Sequence, residues 1–90
     1  MQKIETIRKE IDRLDDEIVK SLVERFLLAK SIAGLKLETG ISNFDANREK
    51  EIILKACISV DEEILRENIQ RIYESILHES KIYQKESRGD

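Results

Sequence analysis

The sequence has no proline and no tryptophan, one cysteine, one histidine and three glycines, and aromatic residues make up 4% of it. The single cysteine, Cys57, excludes an intrachain disulfide; with no histidine near it in sequence it lacks a base to activate it, and it reads as a small core residue. His78 is the only histidine and lies off the apolar stripe of its helix, so no metal-ligand motif arises and the side chain is expected at the surface. No glycine-rich phosphate loop is present. No run approaches the roughly 20 apolar residues that cross a bilayer, and Met1-Gln2-Lys3-Ile4-Glu5 lacks the apolar core of a signal peptide; a cytoplasmic protein is expected. Nor does charge of one sign dominate. The net charge is −3 with both signs interspersed, which argues against a basic field for nucleic acid and against a polybasic membrane patch. If the chain is an enzyme, its chemistry must come from positioning and electrostatics, without a metal or cofactor.

What is present is charge and aliphatic bulk, 39% and 40% of the residues. That mixture, without proline, is the profile of helices with wet faces. An all-α fold of three helices is expected, as one domain over residues 1–90, with no repeat, low-complexity tract or linker. A domain of this length buries only about 60 to 65% of its surface and has a thin core. Dimerisation would deepen it.

The first helix is read from about Ile4 to Leu37. Ile4, Ile7, Ile11, Leu14, Ile18 and Leu22 step by three or four, with Val19, Val23 and Phe26 widening the stripe. At about 1.5 Å per residue, Glu5 to Lys36 would span roughly 48 Å, too long for a compact monomer of this size. After Leu22 the stripe changes: Arg25 is followed by Ala29, Ile32, Ala33 and Lys36, small or branched residues between two cations, as in a helix that lines a cavity. Breakers in Glu38-Thr39-Gly40-Ile41-Ser42-Asn43 end the helix. A short second helix starts around Asn43 to Asp45 and runs to about Cys57, with Asp45, Arg48, Glu49 and Ile52 on one face. After a break at Ile58-Ser59-Val60, Ser59 and Glu62 have the form of a capping box for the third helix. Its stripe runs Leu65, Ile69, Ile72, Ile76, Ser80, Tyr83 and Gln84, ending with polar residues where apolar ones were due. Lys85 to Asp90 forms a polar tail.

Taken singly, each of these polar residues has a plain structural account. Arg25 could snorkel over apolar surface, Lys36 complements a helix C-terminus, and Arg8 could simply be solvated. Asp45, Arg48 and Glu49 could be an acidic helix start, and Ser80 with Gln84 a helix end. Together they are polar residues displaced onto apolar stripes in all three helices, and one shared polar pocket is the economical account. Arg25 and Lys36, eleven residues apart, point the same way within roughly 20° and lie roughly 16 Å apart along the axis. Two long cationic side chains at that spacing can lean towards one small anion. Arg8 is roughly 25 Å from Arg25 and faces about 100° away. It could share that anion only from a partner copy.

The series Ile7-Arg8-x-x-Ile11-Asp12-x-Leu14-Asp15, Leu22-x-x-Arg25-x-x-x-Ala29-x-x-Ile32-Ala33-x-x-Lys36, Asp45-x-x-Arg48-Glu49 and Ser80-x-x-x-Gln84 resembles the all-helical chorismate mutase family over essentially the whole chain. The resemblance implies an intertwined homodimer of three-helix chains whose first helix lends its early arginine to the partner's active site. By that resemblance, Arg25 and Arg8 from the partner subunit would hold the two carboxylates of chorismate with help from Ser80. Glu49 and the backbone near Asp45 would engage the ring hydroxyl, Arg48 would frame the pocket, Lys36 and Gln84 would address the ether oxygen, and Ile32 would pack on the substrate. It implies a cofactor-free Claisen rearrangement of chorismate to prephenate, on the route to phenylalanine and tyrosine, in a free-standing domain. Two alternatives stand beside it. Isochorismate-pyruvate lyases resemble the mutases but tend to lack the glutamate matched by Glu49, and a non-catalytic helical dimerisation module could carry the same stripes.

Overall fold

In a computed structural model the chain consists of three helices, α1 (Gln2–Thr39), α2 (Ala46–Cys57) and α3 (Glu63–Glu86). The structure describes residues 2–40 and 45–87. All three expected helices form, and no strand is found among the described residues.

α1 contains 38 residues, which at about 1.5 Å each gives roughly 57 Å of helix, and the longest dimension of the molecule is 56 Å. The molecule is therefore as long as this one helix. Gly40 terminates it: its φ of 77° is the left-handed conformation that glycine adopts without a Cβ clash, and its N–H donates to the Leu37 carbonyl at 3.3 Å.

Asp45 caps α2 as its residue type suggests. Its backbone is extended, and its carboxylate accepts the Arg48 N–H at 3.1 Å while its carbonyl accepts that of Glu49. α3 departs from expectation at its start. Ser59 does not cap it, because the chain is still turning there, with the Val60 N–H bonded to the Cys57 carbonyl at 3.0 Å. The cap is Glu62, whose carboxylate accepts the Leu65 N–H at 3.2 Å, and the helix begins one residue later. Its longer side chain does what a serine was expected to do.

α3 packs on both other helices, while α1 and α2 do not pack on each other. Near the C-terminal part of α1 the rings of Phe26 and Tyr83 lie 5.8 Å apart at 34°, and the Lys30 ammonium stands 5.9 Å over the Tyr83 ring. These contacts fix the last turns of α3 against α1. Cys57 is half-buried and its thiol approaches the Arg66 carbonyl at 3.9 Å; His78 is exposed. Ile72, expected in the α3 stripe, is about half exposed, and the buried positions are Leu77 and Ser80. The apolar face of α3 thus turns through Leu77 rather than Ile72.

Among the described residues the buried apolar residues are only Ala33 and Leu77. The radius of gyration is 16.5 Å, against about 12 Å for a compact domain of this length. The accessible surface is 7661 Å², against about 5,400 Å² for a compact monomer of the same mass. Along α1, Ile4, Ile7, Ile11, Leu14 and Ile18 are all close to half exposed.

Candidate active site

Where α3 lies between the other two helices, a cavity of about 500 Å³ opens between them. From α1 it receives Arg25, Ile32 and Lys36, at successive helical intervals on the face turned towards α3, with Ala29 and Leu28 beside them. From α2 it receives the cap residue Asp45 and, within the next turn, Arg48 and Glu49, with Ile52 one turn further on. From α3 it receives Leu77, Ser80, Lys81 and Gln84. Every candidate from the sequence except Arg8 lines this one cavity. Arg8 is exposed on the other half of α1, as the length of the helix requires.

The polar groups are ordered by one another. Gln84 Nε2 donates to Ser80 Oγ at 3.0 Å, a bond between residues one turn apart that faces both into the cavity. Ser80 is 3% exposed, so its hydroxyl is a fixed feature of the wall. Arg48 Nη1 is drawn towards Glu51 at 2.9 Å on the exposed side of α2, so Arg48 borders the cavity rather than filling it. Glu49 Oε2 receives the Lys81 ammonium at 2.8 Å, an ion pair that joins α2 to α3. Lys81, Leu77 and Leu28 were missed in the sequence. Leu77 and Lys81 are one turn apart, and Lys81 is three residues before Gln84, so helical spacing from Gln84 was the signal that could have found them.

Four cations, Arg25, Lys36, Arg48 and Lys81, face two carboxylates, Asp45 and Glu49, giving the lining an excess of two positive charges. Such a cavity suits a small dianion. Apolar walls from Leu28, Ile32, Ile52 and Leu77 lower the local dielectric and strengthen these interactions. With charge, shape and donors fixed in advance, the arrangement can select one conformer of a bound molecule and stabilise charge that develops on it.

An all-helical protein with one preorganised, cation-rich pocket between its helices is the class so defined. A family model described as chorismate mutase type II matches residues 7–85. The chain is 38% identical to a chorismate mutase of Methanocaldococcus jannaschii across 96% of this chain and 88% of that one. It is 42% identical over 55 residues to a bifunctional chorismate mutase/prephenate dehydratase of Aquifex aeolicus, covering 61% of this chain and 15% of that one. The solved structure of a chorismate mutase from Thermus thermophilus superimposes with a TM-score of 0.80 at 31% identity, over 87% of this chain and 98% of that one. The chain belongs to the chorismate mutase type II family, and it is an enzyme of the isomerase class. Aromatic amino acid biosynthesis follows from that membership.

Proposed function

We propose that residues 1–90 act as one chorismate mutase domain that rearranges chorismate to prephenate within a homodimer, each active site completed by Arg8 of the partner subunit. The observation that carries the proposal is the gathering of Arg25, Lys36, Glu49, Ser80 and Gln84, from three helices, around one cavity with an excess of two positive charges. The step is unimolecular. The ether C–O bond breaks as a C–C bond forms between the ends of the same molecule, so no proton, electron or leaving group has to be exchanged with the protein.

Catalysis then consists of holding and of stabilising charge. Arg25 and the partner's Arg8 bind the two carboxylates, assisted by Ser80, and bring the side chain over the ring in the compact conformer that reacts. Glu49 and the backbone at Asp45 hold the ring hydroxyl, and Arg48 closes the border of the pocket. Ile32 packs on the ring. Lys36 and Gln84 donate to the ether oxygen, where negative charge grows as the bond lengthens. The uncovered apolar stripe of α1 supports the dimer: a symmetric partner would cover it and carry Arg8 to the neighbouring cavity. No helix among the described residues is long and apolar enough to cross a membrane; action in the cytoplasm is part of the proposed reading.

Loss of chorismate and appearance of prephenate on adding the purified chain test the reaction directly. Release of pyruvate from isochorismate without prephenate formation from chorismate would transfer the chain to the lyases, and no turnover of either would leave a dimerisation module. The shared site has its own test. Arg8→Ala and Arg25→Ala chains, each inactive alone, should regain roughly a quarter of wild-type activity when refolded together, because half the dimers would be mixed and each would hold one intact site. No recovery after verified mixing would refute the exchange of Arg8.

A further inference from the structure

Lys81 lines the cavity and has no part in the function proposed above. Its ammonium lies 2.8 Å from Glu49 Oε2. The other ion pairs among the described residues, Arg13 with Glu10 and Glu17 and Arg48 with Glu51, lie within single helices at i,i+3 or i,i+4 and are well exposed. The pair of Lys81 and Glu49 is different in kind: it crosses from α3 to α2, and the Glu49 side chain is only 28% exposed.

We infer that Lys81 is a positioning residue for the reaction, holding the Glu49 carboxylate so that its remaining lone pairs meet the ring hydroxyl of the substrate. The inference rests on the chorismate mutase function proposed above. A glutamate side chain has three soft torsions, and freezing them when substrate arrives weakens binding of the reactive conformer. A bond already formed in the free protein removes that cost. An ionised carboxylate offers about four lone-pair sites, so the bond to Lys81 leaves room for a hydroxyl donor. Because Lys81 directly follows Ser80 and precedes Gln84 by three residues, the same bond sets α3 against α2 at the turn that carries both of those groups.

The test is steady-state kinetics of Lys81→Met and Lys81→Arg in the full chain, on chorismate and on the same dicarboxylate lacking its ring hydroxyl. Conversion of chorismate by the wild-type protein, measured first, separates failure of the function from failure of the positioning role. Lys81→Met should lower kcat on chorismate about tenfold with KM little changed, and Lys81→Arg should retain most of the rate. The melting midpoint should barely move, because a part-exposed ion pair contributes little to stability. On the substrate without the hydroxyl, Lys81→Met and wild type should be equal, and in a Glu49→Gln background the substitution should add nothing. A loss that persists on that substrate or in that background would make Lys81 a direct substrate ligand and overturn the inference. So would an unchanged kcat, or a loss that tracks the melting midpoint and is not restored by arginine.

Discussion

Between Ile4 and Ile18 the apolar residues of α1 are about half exposed; between Arg25 and Lys36, Leu27, Leu28, Ile32 and Leu35 are no less exposed, but the same helix also buries Ala33, half-covers Phe26 and Ala29, and lines a cavity. The two halves differ little in periodicity and much in company. α3, with 24 residues against the 38 of α1, meets the C-terminal half at Phe26 and Lys30. A stripe of apolar side chains states that a face will be covered; it does not state by which chain. The proposed function gives the first half to association, apart from the Arg8 it lends to the partner's site, and the second half to the chain's own cavity, and three substitutions can break or sharpen that division.

The largest effect is expected from Ile11→Glu, in the uncovered half. Burying an isoleucine is worth about 1.5–3 kcal/mol, and a two-fold dimer loses it from both copies. The dissociation constant should rise by about two to four orders of magnitude, measured by sedimentation across a dilution series. Activity should fall together with the dimer; a wild-type chain that sediments as a monomer at all concentrations would dissolve the contrast between the halves. Next comes Lys36→Met, in the covered half. Loss of a donor aimed at developing charge should lower kcat by about 10²- to 10³-fold, while sedimentation stays that of wild type. A dissociated Lys36→Met protein would show that the second half also holds the subunits together. The smallest effect is expected of Gly34→Ala. A Cβ at Gly34 meets no atom within 4 Å in the chain, so relief of glycine's helix penalty should stabilise the protein by about 0.5–1 kcal/mol, read by denaturant unfolding. Destabilisation instead would locate a close approach of the partner's backbone at that point.

Much of this was legible because helices advertise themselves through periodicity, and in a chain without proline nothing interrupts the signal. The cap at Asp45 and the end of α1 beside Gly40 follow from residue type alone. The cavity was legible because its polar residues break apolar stripes, which is visible for Arg25, Lys36, Ser80 and Gln84. The start of α3 was misread because Ser59 and Glu62 both accept hydrogen bonds, and the choice between them turns on the tight turn at Val60. Lys81 was hidden by its type: a lysine on a charged helix looks solvated until the fold places Glu49 opposite it. The exposure of Ile72 beside the burial of Leu77 shows the same limit, since both fit a helical face and only packing decides its centre.

The thin core has a consequence for how the molecule comes into being. With Ala33 and Leu77 as the buried apolar side chains among the described residues, a lone chain has little to gain by collapsing on itself, and in the proposed homodimer much of the stability would come from the encounter with a second copy. Refolding should then be a bimolecular event whose rate rises with protein concentration. In a cell, the abundance of newly made chains would set how quickly each becomes competent.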